Sequence, residues 1–295
     1  MSGTSKGTRR LNRSLIFGLL FGVVAISVAV AIEIDGMSPK VFFHPVGLIA
    51  VFGGILAAAL ISAPVHELKR MLLRTYYVIA YPRDDALQTL REVLQVSIGI
   101  NKDPHYLDDQ GEQIENIMLK DGLGFVSMGY KVEEIRKFLE VKRDQNEASL
   151  GECSVFYYSM AKMGPAFGLL GTVIGLIILL YYHMSEGNME KIASSMGIAL
   201  TATLYGVGVA NLIFSPLADY LQYNAERGAV QDTIIVEAVV QIKERRHPVY
   251  LLQALKSYMP REDYPEIERI MREDIIKNDT DNGTKRKEGA PRRSA

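Results

Sequence analysis

Four stretches of this chain are long, apolar and free of Asp, Glu, Lys and Arg: about Leu15–Ile32, Val46–Ile61, Gly164–Tyr182 and Ile198–Leu217. A helix needs about 20 predominantly apolar residues to cross the hydrocarbon of a bilayer. Lipid offers no partner for backbone N–H and C=O groups, so an apolar stretch at that depth must bond within itself as a helix. The expected fold is therefore an all-α, polytopic membrane protein with four transmembrane helices. A helical cytoplasmic domain falls between the second and third, and a cytoplasmic helical segment follows the fourth. The first stretch follows Lys6, Arg9, Arg10 and Arg13 and ends in Ala29-Val30-Ala31, as a signal peptide would. Its apolar run exceeds the usual 7–15 residues or so, and it is expected to be retained as a span.

Basic residues near the span ends set orientation. The N-terminal segment has four, and Lys69, Arg70 and Arg74 follow the second span. The loop after the first span has only Lys40 against Glu33 and Asp35; that after the third has Lys191 against Glu186 and Glu190. Both termini and the long middle segment are thus expected in the cytoplasm of an inner-membrane protein, with two short loops outside.

The expected divisions are residues 1–63 (tail and first hairpin), 64–163 (cytoplasmic helical domain), 164–217 (second hairpin), 218–277 (cytoplasmic C-terminal helices) and 278–295 (disordered basic tail). In the middle segment, Glu67 to Ile79 continues the second span. Asp84 and Asp85 open a further helix with Leu87, Leu90, Val93 and Leu94 on one face, and Gly99 to Pro104 breaks it. Val132, Ile135, Phe138 and Leu139 mark another helix. After the fourth span, Ile234, Ile235, Ala238, Val239 and Ile242 form an apolar face that His247 and Pro248 end. The tail carries Lys285, Arg286, Lys287, Arg292 and Arg293.

A net charge of −1 gives no field for nucleic acid. One cysteine, Cys153, excludes an internal disulfide and a cysteine-based zinc cluster within one chain, and no two of the five histidines stand three or four apart. No nucleophile–base motif or phosphate loop appears, so neither an enzyme nor a cofactor is expected.

The third span carries Gly164, Gly168, Gly171 and Gly175, spaced 4, 3 and 4, on one face. The fourth carries Ala199, Ala202, Gly206 and Ala210. Such stripes let helix backbones approach closely in a membrane. Thr172, Thr201 and Thr203 lie in the same two spans, with Pro165 and Pro216 at their cytoplasmic ends. Each threonine could merely bond the carbonyl one turn back, but together with the prolines they suggest a polar path. Ion paths through membranes generally use a carboxylate. These spans have none, so an acid would have to come from a partner chain.

The run Pro165-Ala-Phe-Gly-Leu-Leu-Gly-Thr-Val-Ile-Gly-Leu-Ile177 resembles the third span of the MotA/PomA flagellar stator family. Gly197-Ile-Ala-Leu-Thr-Ala-Thr-Leu-Tyr-Gly206, continuing through Ala210 to Ala218, resembles its fourth. The stretch 234–242, His247-Pro248 and Tyr258-Met-Pro260 are similar to its C-terminal helix and ending, and 122–139 is similar more loosely. The resemblance implies five A subunits around a dimer of MotB/PomB-type partners. Each partner supplies a membrane aspartate, and passage of H⁺ or Na⁺ there drives the ring against the rotor protein FliG. By position, Pro165 and Pro216 match the family's torque-coupling prolines, and Thr203 and Thr172 match residues of the ion path. Thr172 is typical of sodium-type members, whereas Ala202 departs from their Thr-Thr pair. Tyr205 matches as a packing residue. The rotor-facing arginine and glutamate have no clear counterparts; Lys102, Asp108 and Asp109 are the candidates. The competing readings are an ExbB/TolQ-like subunit, which the four spans disfavour, another non-flagellar ion-driven motor subunit, and a passive membrane scaffold.

Overall fold

A computed structural model describes residues 13–33, 42–81, 86–103, 106, 114, 116–183 and 189–272. Its described elements are helical: α1 (Arg13–Glu33), α2 (Pro45–Ser62), α3 (Val65–Ala80), α4 (Ala86–Lys102), α5 (Ile117–Ser127), α6 (Val132–Ile178), α7 (Met189–Val209), α8 (Ser215–Lys243), α9 (Pro248–Lys256) and α10 (Tyr264–Ile270). A π-helical turn, Leu179–His183, follows α6, and another, Ala210–Phe214, joins α7 to α8. The chain divides into two compact units. One draws on 83–148 and 226 onward, the other on 7–82 and 149–225.

The second unit is the membrane-like one. Pro45–Ser62, Val132–Tyr181 and Lys191–Lys243 each contain a window long and apolar enough to span a bilayer, and Phe17–Val28 within α1 is a shorter apolar helix. Ile49, Ile61, Leu169, Leu180 and Leu200 are each more than 60% exposed. Exposed apolar surface on that scale suits lipid or another subunit as its solvent. The inner side of this unit is a small core of Val51, Ile55, Ala59, Met160, Ala202 and Val209, edged by Phe156, Phe167, Tyr205 and Phe214. Ala63 and Pro64 both take extended backbone between α2 and α3, so the second span does not run on into α3 as one helix. Beside this bend, Met71 and Val78 of α3 pack on Cys153, Tyr157, Ala218 and Leu221. The Arg74 guanidinium donates to the Ser149 carbonyl at 3.2 Å.

The first unit closes over a core that includes Leu90 and Leu94 of α4, Leu119 and Leu123 of α5, Ile135 and Leu139 of α6, Ile234 to Ile242 of α8, and Leu251, Leu252 and Leu255 of α9. The helical periodicity seen around 87–94, 132–139 and 234–242 therefore marks faces of one shared core. Asn116 caps α5 by accepting from the N–H groups of Met118 and Leu119 at 3.0 and 3.1 Å, which satisfies two donors that a helix start leaves unpaired. The break expected over Gly99 to Pro104 falls after Lys102, where α4 ends, and Gly99 itself lies inside the helix. Gly99 is there for space: a Cβ would strike the ring of Tyr106. His247 and Pro248 open α9, with His247 Nδ1 accepting from Val249 N at 3.3 Å and Pro248 in the first turn, where its missing N–H is harmless. Asp84, Asp85 and residues 278–295 lie outside the described residues.

Candidate functional site

The two small-residue stripes face each other. Gly164, Gly168, Gly171 and Gly175 of α6 are all buried, as are Ala199, Ala202, Gly206 and Ala210. A Cβ on Gly164 would lie 2.5 Å from the Gly206 carbonyl oxygen, and one on Gly206 would strike the Gly164 carbonyl. A Cβ on Gly171 would strike the Ala202 methyl, and one on Gly175 would lie 3.0 Å from the Ala199 backbone nitrogen. The α6 and α7 backbones are thus in direct contact, which only glycine permits at these points.

This contact places hydroxyls beside the seam. Thr172 Oγ1 lies 2.5 Å from Thr203 Oγ1 and bonds the Ala199 carbonyl at 2.9 Å and the Gly168 carbonyl at 3.2 Å. Thr203 Oγ1 also reaches the Gly168 carbonyl, at 3.4 Å. Four oxygens from two helices are therefore gathered within bonding distance. Each hydroxyl has two lone pairs and one rotatable hydrogen. With one hydroxyl donating to the other and the second donating to a carbonyl, the pair keeps lone pairs free to face a passing cation. An oxygen-only donor set suits a hard cation such as sodium, or water carrying a proton.

Thr201 does not join them. It is 6% exposed, and its hydroxyl bonds the Gly197 carbonyl at 2.7 Å, one turn back. Two helical residues are about 200° apart, so Thr201 and Thr203 face opposite ways. Ala202 is fully buried between Gly47 and Gly171, so its methyl fills the seam and contributes nothing to the hydroxyl pair.

Pro165 lies inside α6 and Pro216 in the first turn of α8, both exposed. Pro216 has no N–H for the Leu212 carbonyl. Just before it the backbone takes the wider π turn, in which Ser215 N bonds Ala210 O. Such turns often mark functional positions, and Pro216 was the sole sequence signal for this one. Tyr205 does more than pack: its hydroxyl donates to the Phe42 carbonyl and accepts from His44 N at 3.1 Å, tying α7 to the start of α2.

Lys102 is exposed at the last turn of α4, in the first unit. Asp108 and Asp109 lie outside the described residues. No group of three His, Cys, Asp or Glu side chains able to hold a metal occurs among the described residues.

Residues 110–231 match the model of the MotA/TolQ/ExbB proton channel family. Motility protein A of Borreliella burgdorferi is 31% identical over 245 residues, covering 81% of this chain and 90% of that protein. Among solved structures, C. jejuni MotAB superposes with a TM-score of 0.76 at 25% identity, covering 85% of this chain and 97% of the other. The flagellar MotAB stator complex of Bacillus subtilis gives 0.74 at 21% identity, covering 86% and 99%, a likeness of fold.

Proposed function

Because this chain belongs to the MotA/PomA flagellar stator family, within the MotA/TolQ/ExbB proton channels, we infer that it is the A subunit of an ion-driven flagellar stator and works with a MotB-type partner. It is a multi-pass inner-membrane protein. The finer topology is four spans, with both termini and the middle segment cytoplasmic. The arrangement of basic residues around the apolar runs supports it.

The observation that carries the mechanism is the Thr172–Thr203 pair beside a carboxylate-free glycine seam. The hydroxyls and the Gly168 and Ala199 carbonyls line a path, and the partner's membrane helix brings the titrating acid. An ion reaching that acid cancels its charge and so changes how it sits against the seam. Pro165 and Pro216, each at the cytoplasmic end of a span, convert that change into movement of the cytoplasmic part. Thr201 was grouped with the path on sequence; its buried back-bond supports a packing role instead.

Five copies around two partners, torque delivered to FliG, and contact through Lys102, Asp108 and Asp109 complete the reading. The transported ion is H⁺ or Na⁺, with the Thr172 hydroxyl favouring sodium, and no cofactor is involved. The test is swimming speed against external sodium at fixed pH, in cells whose only stator is this chain and its cognate partner. Speed that rises and saturates with sodium supports stator and ion together. Speed that follows only the proton gradient reverses the ion. Complexes that assemble without swimming remove the flagellar role.

A further inference from the structure

One polar contact on the same helices has no part in the path described so far. The Tyr158 phenol of α6 donates to the Asp219 carboxylate of α8, and both side chains are exposed. A seven-residue step along a helix drifts only about 20°. Tyr158, Pro165 and Thr172 therefore share one line along α6, at the edge of the glycine seam. At 1.5 Å per residue, the line is about 21 Å long. It begins at the hydroxyl pair and ends at a carboxylate. None of its three residues is buried, so the line is open to a partner helix or to water. Following the chain from Thr203 toward α8, Asp219 is the first acidic residue met.

We propose that Asp219 is the receiving carboxylate at the cytoplasmic end of the ion path, and that Tyr158 is the positioning residue that aims it along the line of Pro165 and Thr172. This rests on the stator reading above. An ion leaving the partner's acid passes the threonine oxygens and meets a fixed negative charge at the water boundary. A proton is carried there as the neutral carboxylic acid and handed to water; a sodium ion is held by the carboxylate and rehydrates. The Asp219 side chain is exposed, which suits release to water. The hydrogen bond to Asp219 raises the Tyr158 phenol from its usual value, so the phenol stays a donor at neutral pH.

The test uses the complete stator in cells lacking any other, reading motor speed against external ion and the amount of complex in the membrane. Asp219→Asn keeps an acceptor for Tyr158 and removes the charge. It is expected to lower maximal speed by about threefold or more at unchanged complex level and to lower the half-saturating external ion concentration with it, because exit and not entry is impaired. Asp219→Glu restores speed, and Tyr158→Phe gives a smaller loss. Should Asp219→Asn fail to accumulate, Asp219→Cys is labelled in the assembled complex: iodoacetate, which adds a carboxylate, restores speed and iodoacetamide, which adds a neutral amide, does not. Full speed in Asp219→Asn, or equal recovery with both reagents, overturns the proposal while leaving the stator reading intact. A wild-type complex that drives no rotation with either ion overturns both.

Discussion

Thr172 Oγ1 on α6 and Thr203 Oγ1 on α7 lie 2.5 Å apart, with the Gly168 carbonyl within hydrogen-bond reach of both. One pair of hydroxyls thus joins the two helices at the point where no charged side chain is present. If these oxygens help to strip water from sodium, Thr172→Ala should raise the sodium concentration for half-maximal speed and weaken sodium-driven swimming more than proton-driven swimming. Thr203→Ala should do the same, and the double variant should add little, because the two act as one unit. Unchanged sodium dependence would leave both as packing residues.

Thr201 provides the contrast. Its hydroxyl is used on the Gly197 carbonyl inside its own helix. Hydrogen bonds of membrane helices average about 0.6 kcal/mol in double-mutant cycles. Thr201→Ala is therefore expected to lower the melting temperature of the solubilised complex slightly and to leave the ion dependence of swimming unmoved. A shifted sodium curve would return Thr201 to the path.

The glycine seam makes a sharper prediction. A methyl on Gly164 meets the Gly206 carbonyl oxygen at 2.5 Å, and backbone cannot step aside as a flexible side chain can. Overpacking of this kind costs about 1–3 kcal/mol, and here it acts on the contact that sets the hydroxyl pair. Gly164→Ala and Gly206→Ala should each reduce complex yield and melting temperature and abolish swimming. Gly53→Ala, which has nothing within 4 Å of its new methyl, should be neutral or mildly stabilising.

These contrasts also mark what the sequence can tell. The helical period alone puts the four glycines on one face of α6 and the small residues on one stripe of α7, and the structure shows the two stripes in contact. The same period places Thr201 about 200° from Thr203, so its separation was readable, though composition drew the two together. The stretch from Gly99 to Pro104 is legible as the end of α4, whereas the reason for glycine at 99, the Tyr106 ring, is a neighbour that no local rule names. The core joining Leu90, Leu119, Leu139 and Ile234 depends on packing between distant segments, and each segment alone shows only an apolar face. The two π turns left no pattern beyond Pro216.

Pro216 is the reason for the second of these turns. Replacing it with alanine supplies an N–H for the Leu212 carbonyl, so the 210–216 segment should relax toward an ordinary α-helix. Amide exchange in that segment of the assembled complex should slow, and torque should be lost while the protein still inserts. Pro165→Ala should likewise insert without torque. Normal torque in both variants removes the coupling role of the prolines.

Cys153 gives a probe of the α3–α6–α8 packing that needs no engineering. Its side chain is 1% exposed, and burial pushes the thiol up against the opposing pull of the Arg74 guanidinium. Nucleophilic attack requires the thiolate, so at neutral pH both access and charge state are unfavourable. Maleimide labelling of the folded complex should be slower than that of the denatured chain by about a hundredfold or more. Val155→Cys, at a position 64% exposed, should label rapidly. Because the folded thiol value lies above the unfolded one, its contribution to stability is fully present below the unfolded value and fades as pH rises through the raised one. Labelling of Cys153 should therefore stay slow at pH 7 and accelerate in alkali more steeply than that of Val155→Cys. Equal rates at the two positions would mean that α3 does not cover this face in the assembled protein.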